Sequence, residues 1–193
     1  MSDIHAWEAA PEIAEAAMNG GHLLGELSLL TPDCAGLVDV DVSHLGCMAW
    51  VVGRDNHGDG WQARVELEQS PIGSWVAMGE LSSSDWDGWL FVAEAEKTGW
   101  PSPVIDLGTV SSRTSRTSSG SLASTTFISV CGVARSDVAT IEIKLGDHVR
   151  LKTISSISGG FVVRIPVIGL DHLPTHLPTV IAILADGQTF TVG

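Results

Sequence analysis

The stretch DNHGDG, residues 55–60, combines the residue types of a calcium-binding loop. Numbered from Asp55, an EF-hand loop of about 12 residues would have a carboxylate at each end and a glycine at its turn. An EF-hand also requires a helix on each side, whereas the flanking segments WVV and WQARVELE have the composition and alternation of strands. Because Asn, Asp and Gly are equally common at hairpin tips, we expect a hairpin loop without a metal. A cation site formed by Asp55, Asn56 and Asp59 is the alternative.

Three pairs of carboxylates, each two residues apart, have a spacing that suits acid–base chemistry. They are Asp39 and Asp41, Glu66 and Glu68, and Glu94 and Glu96. On a strand, such residues share one face about 7 Å apart, which is a separation that suits a glycosidase. Every solvent-facing strand has the same pattern, so we expect these residues to face solvent. An enzyme that uses them is one of three hypotheses about function.

Other catalytic and metal-binding motifs give no positive signal. His172 and His176 are four residues apart, as two ligands on one helix would be, but Pro174 and Pro178 oppose a helix there. The sequence contains no G-x-S-x-G, no P-loop and no G-x-G-x-x-G motif. We therefore predict a non-catalytic protein without a cofactor.

Four tryptophans lie in or beside predicted turns instead of inside strands. Trp61 follows DNHGDG, Trp86 and Trp89 flank an Asp-Gly turn, and Trp100 lies between a glycine and a proline. An exposed indole can stack on a sugar or anchor a protein partner. These four residues are therefore our candidate binding residues, and capping of a core, where large aromatics usually lie, is the alternative.

The remaining pattern predicts mainly β structure after one short N-terminal helix. Within residues 1–22, the run WEAAPEIAEAAM is rich in Ala and Glu and is followed by Asn-Gly, which is typical of a helix and its end. Over residues 23–108, short apolar or alternating runs recur at roughly ten-residue spacing, which predicts an acidic antiparallel β domain. Residues 61–68 alternate most clearly, and residues 89–95 are also predicted to form a strand.

Residues 109–126, TVSSRTSRTSSGSLASTT, differ in composition from both flanks. Ser and Thr dominate and no core-forming pattern is visible, so we expect a Ser/Thr-rich connector that is a linker or a long mobile loop. Over residues 127–193, alternating runs such as IEIKL, VRLKT and VVRIP return, and Asp186-Gly187 supplies a hairpin turn signal. These runs predict a second antiparallel β domain.

The order VATIEIKLGD, then GGFVVRIP, then ADG within residues 127–193 resembles that of small bacterial immunoglobulin-like sandwich domains. The resemblance covers that segment only and consists of strand and turn residues. It implies an immunoglobulin-like β-sandwich with a non-catalytic role, and it specifies no ligand.

Charge is distributed unevenly along the chain, whose formal net charge is −13. Residues 1–108 contain 3 Lys or Arg and 18 Asp or Glu, whereas residues 109–193 contain 7 and 5. An acidic first part repels phosphate, and the second part is only weakly basic. Neither part therefore predicts nucleic-acid binding.

The N-terminal residues lack the features of a secretory signal, and no apolar run approaches the length of a membrane span. We therefore expect a cytoplasmic protein with reduced thiols, with a Cys34–Cys47 disulfide as the alternative for an exported protein. The function we expect is a protein-interaction or assembly module that binds a protein partner or itself. The alternative is a carbohydrate-binding protein that uses its tryptophans.

Overall fold

The computed structural model describes residues 16, 35–43, 46–54, 60–84, 88–118, 121–154, 159–167 and 177–192. The chain is mainly β, as predicted, and divides into two compact units, Met1–Phe91 and Val92–Gly193. The elements in chain order are β1 (Ala35–Ser43), β2 (Gly46–Arg54), β3 (Gly60–Gln69), β4 (Trp75–Ser84), α1 (Gly88–Thr98), β5 (Val104–Ser118), β6 (Ser121–Ala134), β7 (Val138–Leu145), β8 (His148–Thr153), β9 (Gly160–Val167), β10 (Thr179–Leu184) and β11 (Thr189–Val192).

The first unit contains one antiparallel sheet in the order β1-β2-β3-β4. Alternation places the apolar side chains of neighbouring strands on one face, as predicted for residues 61–68. The buried core on that face consists of Val40, Cys47, Ala49, Val51, Ala63, Val65 and Leu67. Ala16 is helical and packs against this core. The rest of the helix predicted within residues 1–22 lies outside the described residues.

The second unit contains two antiparallel sheets, ordered β5-β6-β9 and β11-β10-β7-β8, an arrangement compatible with a β-sandwich. One buried apolar cluster contains side chains from both sheets, among them Val130 and Phe161 of the first and Ile141 of the second. Gly132 leaves room for the Phe161 ring, because a Cβ there would lie 2.8 Å from the ring Cζ and 2.7 Å from the Ile105 carbonyl oxygen. Burial of this shared cluster holds the two sheets face to face.

Helix α1 lies where we predicted a strand over residues 89–95, so that prediction is wrong. The apolar start of the segment suggested a strand, but the following AEAEK consists of strong helix formers. Lys97 lies in the last turn, where a positive charge is favourable. Gly99 ends the helix with a φ of 98° and donates its N–H to the Ala95 carbonyl over 2.9 Å.

Residues 109–126, where we expected a linker or mobile loop, lie almost entirely in the paired strands β5 and β6. The two strands pair antiparallel up to Ser118 and Ser121, so two residues connect them. Thr is favoured in strands, and Ser or Thr positions oppose one another here, as at Thr114 and Thr125. The Ser-Gly dipeptide between the two runs is a turn signal that the low-complexity composition obscured. The boundary between the two units lies N-terminal to this segment.

Candidate functional site

The four tryptophans predicted to bind a ligand occupy different elements, as far as the structure describes them. Trp61 lies in β3 and Trp89 in α1, and the side chains of both, like the whole of Trp86, lie outside the described residues. Trp100 follows α1 and is half-buried. A common binding surface formed by these residues therefore stays a prediction.

The DNHGDG segment connects two antiparallel strands. Strand β2 ends at Arg54, which pairs with Gly60 at the start of β3, so strands flank the segment where an EF-hand has helices. Residues 55–59, which include the three candidate cation ligands, lie outside the described residues. Within the described ranges, no group of three or more His, Cys, Asp or Glu side chains is arranged to hold a metal ion.

The carboxylate pair on β1 is buried, although we expected it to face solvent. Asp39 and Asp41 are only 6% and 7% exposed. The strand register places them on the sheet face opposite the apolar core. Glu66 and Glu68 of β3 are half-buried on the same face as Asp39 and Asp41. The third pair lies on α1, where residues two apart do not share a face.

A buried hydrogen bond lies on this second face of the first sheet. The Trp50 indole Nε1 donates to Gln62 Oε1 over 3.1 Å, and both side chains are buried. Arg64 is half-buried on the same face, and its Nε and Nη1 have no hydrogen-bond partner in the part of the chain that is described. The Trp50–Gln62 bond pairs a buried donor with a buried acceptor, as is usual in native structures. We therefore assign a structural role to the polar layer, defined as Asp39, Asp41, Trp50 and Gln62.

The four-stranded sheet of the second unit presents aliphatic side chains on the face opposite its core. We define the outer aliphatic face as Val149 and Leu151 of β8 together with Ile181 and Ile183 of β10. Val149 and Leu151 are 51% and 62% exposed, and the two isoleucines are half-buried. The register places Leu151 and Ile181 in one row across the sheet. The outer aliphatic face thus has two halves, one on β8 and one on β10, with β7 between them.

Polar side chains of β7 lie between the two halves of the outer aliphatic face. Glu142 separates Leu151 from Ile181 in the register, and its Oε1 lies 2.7 Å from Lys144 Nζ. Thr140 occupies the corresponding position in the next row. A paired charge and a threonine hydroxyl give this surface hydrogen-bonding groups beside its aliphatic ones.

Strand β8 has its basic side chains on the inner side of the sheet. Arg150 and Lys152 pair with Ile143 and Ile141, which are core residues, so they share the core-facing side and are half-buried. The alternation of VRLKT suggested a half-buried strand with its apolar side inward. The side chains of β8 have the opposite orientation, with the basic ones inward. Val149 and Leu151 therefore face solvent.

The signal that predicts this orientation is the short turn before β8. Leu145 pairs directly with His148, so Gly146 and Asp147 alone form the turn, with Gly146 at a φ of 56°. A two-residue turn fixes the register of a hairpin. Because Leu145 belongs to the core, every second residue from His148 onward lies on the core-facing side.

The three-stranded sheet of the second unit is buried on both faces along β6 and β9. Opposite the shared core, the side chains of Phe127, Ser129, Cys131, Val162 and Arg164 are all buried. The Arg164 guanidinium lies over the Phe127 ring at 3.4 Å from its centroid, which is a cation–π contact. These strands offer no open surface, so the exposed sheet surface of this unit that the structure describes lies on the four-stranded sheet.

An ion pair fixes the turn between β6 and β7. Arg135 Nε and Nη2 donate to the two carboxylate oxygens of Asp137 over 2.6 and 2.7 Å. The hydrogen bonds from Arg135 lower the pKa of Asp137 below its usual value. The Asp137 carbonyl also accepts the N–H of Ala185 at 2.9 Å. The turn is therefore linked to the end of β10.

Comparison with known proteins gives no match: no family model, no curated protein and no solved structure is significantly similar to this chain. Among the helical residues that the structure describes, none belongs to a helix long and apolar enough to cross a membrane.

Proposed function

We propose that the protein is a non-catalytic protein-interaction module and that the outer aliphatic face is its binding surface. The observation that carries this proposal is the solvent exposure of Val149 and Leu151 on a strand whose basic side chains face inward. Exposed apolar surface costs about 25 cal/mol per Å² relative to burial. Exposed aliphatic side chains bordered by polar ones, as Val149 and Leu151 are by Lys144 and Glu142, are typical of a binding site.

The composition of this surface suits a protein partner. Protein interfaces combine apolar contacts with a limited number of hydrogen bonds. Leu151 and Ile181 supply apolar area, and the Glu142–Lys144 pair supplies charged groups within the same surface. Rigid strands position all of these side chains, which limits the entropy lost on binding.

The pairing of the strands is compatible with the immunoglobulin-like sandwich that the sequence resemblance implies. Counted from β5, one sheet joins the first, second and fifth strands, and the other joins the third, fourth, sixth and seventh. Two antiparallel sheets of about seven strands in all are typical of that architecture. Such a fold hosts many functions, so the proposal rests on the outer aliphatic face and not on the architecture.

Carbohydrate binding through the tryptophans is the competing proposal. It requires two or more indole rings presented together on one groove or platform. Trp100 is half-buried, and the side chains of the other three tryptophans lie outside the described residues. The exposed aliphatic side chains of Val149 and Leu151 are what favours a protein partner.

Site-specific photo-cross-linking in the native host tests the proposal. A benzoylphenylalanine in place of Leu151 of the full chain should give a discrete adduct with a partner or with a second copy. The matched control carries the same group at Ser136, which is exposed in the turn before β7. Ile181→Glu should reduce the adduct several-fold, because it places a charge within the apolar surface.

Two results would contradict the proposal. One is the same adduct pattern from positions 151 and 136, or no adduct from either, in a folded protein. The other is retention on a polysaccharide column that Trp100→Ala abolishes and Ile181→Glu does not change. The second result would favour the carbohydrate alternative.

A further inference from the structure

Strand β8 is the last strand of its sheet in the part of the chain that is described. It pairs with β7 on one side, in the order β11-β10-β7-β8. A strand in this position presents backbone N–H and C=O groups along its second side. The polarity of those groups makes the edge a site where a further strand can pair.

The hydrogen bond from Ile154 N–H to the Ala139 carbonyl, 3.0 Å long, sets the phase of the β7–β8 ladder. In an antiparallel ladder, hydrogen-bonded and non-hydrogen-bonded pairs alternate. The register then directs the backbone groups of Val149, Leu151 and Thr153 away from β7 and toward the edge. Two of these three residues are also the exposed aliphatic residues of β8.

The charge of β8 restricts which strand can pair with its edge. Its sequence HVRLKT contains Arg150 and Lys152 and no acidic residue. A second copy of β8 aligned antiparallel about Leu151 would place Arg150 opposite Lys152, and like charges directly opposite are destabilising. A strand with acidic residues at alternate positions would instead place opposite charges together.

We propose that β8 binds an extended acidic segment of a partner protein as an additional strand. The segment would alternate carboxylates, placed beside Arg150 and Lys152, with apolar or threonine side chains placed beside Val149 and Leu151. Backbone hydrogen bonds would supply affinity and the side chains would supply selectivity. This inference rests on the proposed function, because it specifies the partner's chemistry and how the partner binds next to the outer aliphatic face.

A short synthetic peptide that alternates Glu with Val and Thr tests the inference with the full chain. Fluorescence anisotropy should show saturable binding that weakens as salt is added. The peptide with Lys in place of Glu should bind at least about tenfold more weakly, because attraction becomes repulsion. Reversing the protein's charges with Arg150→Glu and Lys152→Glu should exchange this preference and favour the Lys peptide.

A backbone variant separates strand addition from simple charge attraction. Leu151→Pro removes an N–H that points toward the edge and leaves the hydrogen-bonded pairs with β7 in place. It should abolish binding of the Glu peptide, whereas the control Ser136→Pro, in the exposed turn before β7, should retain it. If the Leu151→Pro variant does not fold, as judged by circular dichroism, the charge-reversal variant still tests the inference.

Several results would overturn the inference. Equal binding of the Glu and Lys peptides, or undiminished binding by a folded Leu151→Pro variant, would exclude it. No peptide binding together with self-association of a neutralised Arg150→Gln, Lys152→Gln variant would show that the basic residues only protect the edge. One combination of results separates this inference from the proposed function. If the cross-link at position 151 forms and Ile181→Glu suppresses it, the proposed function stands. If the Glu peptide then does not bind, strand addition at β8 is excluded.

Discussion

The shared core of the second unit and the second face of the first sheet bury side chains of different chemistry. In the second unit, the described members of the shared core are all apolar, Phe161 and Ile141 among them. In the first unit, one face of the sheet packs an equally apolar core, but the other face buries Asp39, Asp41 and Gln62. Apolar burial is non-directional, whereas a buried polar group depends on a particular partner in a particular geometry.

The stability of each buried layer therefore depends on a different property. The stability of the apolar core depends on how completely its volume is filled. A cavity lowers this stability, because transfer free energy and van der Waals contacts are both lost. The polar layer depends on whether each donor and acceptor is paired, because a buried unpaired group retains its desolvation cost. Substitutions that change one property at a time can therefore distinguish the two layers.

The largest effect is expected from a cavity in the apolar core. Phe161→Ala should lower the free energy of unfolding by about 3–5 kcal/mol, because it removes a fully buried ring and leaves a cavity behind. Urea unfolding followed by far-UV circular dichroism measures this change. The matched control is Phe190→Ala, since Phe190 is 39% exposed in the last strand and should cost clearly less. Equal losses for the two variants would show that burial of Phe161 does not stabilise the unit.

An intermediate effect is expected in the polar layer. Gln62→Leu keeps an apolar side chain of similar size but removes the acceptor of the Trp50 indole N–H. The free energy of unfolding should fall by about 1–3 kcal/mol, which is the cost of a buried donor without its acceptor. Adding Trp50→Phe should cost less in the Gln62→Leu background than in the wild type, because the orphaned N–H is removed with the indole.

A double-mutant cycle measured by urea unfolding tests this coupling. Strict additivity of Trp50→Phe and Gln62→Leu would mean that the hydrogen bond contributes nothing to the stability of the layer. Both buried layers would then depend on volume alone, and pairing of the Trp50 indole with Gln62 would add nothing.

Local pattern was sufficient to predict the strands of the first sheet. The alternation over residues 61–68 places Ala63, Val65 and Leu67 on one face, and the structure buries them there. It was insufficient for α1, because its apolar start fits a helix or a strand equally well and its Glu-rich end and Gly99 decide the matter. Composition also obscured the β5–β6 hairpin, in which pairing between two Ser/Thr-rich runs replaces a hydrophobic pattern.

The candidate site was predictable in part. Alternation in β8 does not determine which side of the strand faces the core. The two-residue turn before His148 determines it, because Leu145 belongs to the core and pairs directly with His148. The burial of Asp39 and Asp41 was not predictable, because their spacing is that of any strand with a solvated face. Whether the second face of a sheet is covered depends on contacts distant in sequence, which one strand's pattern does not contain.

The smallest effect is expected where a charged pair lies at the surface instead of in a buried layer. Asp137 is 48% exposed and Arg135 33% exposed, so solvent screens their interaction despite its two hydrogen bonds. Asp137→Asn should lower the free energy of unfolding at neutral pH by about 0.2–1 kcal/mol. Lys144→Gln, which removes one partner of a second exposed ion pair, is a matched control with an equal or smaller effect.

The pH dependence of this effect follows from the lowered pKa of Asp137 in the folded protein. The stabilisation is present above the carboxyl's ordinary pKa of 3.8 and is lost as the pH falls through the lower folded value. The difference in melting temperature between wild type and Asp137→Asn should therefore shrink as the protein is acidified below that range. A difference that instead grows in acid would show that the ionised carboxylate of Asp137 destabilises the fold. The charged pair would then differ from the buried polar layer, whose groups are stabilised by their partners.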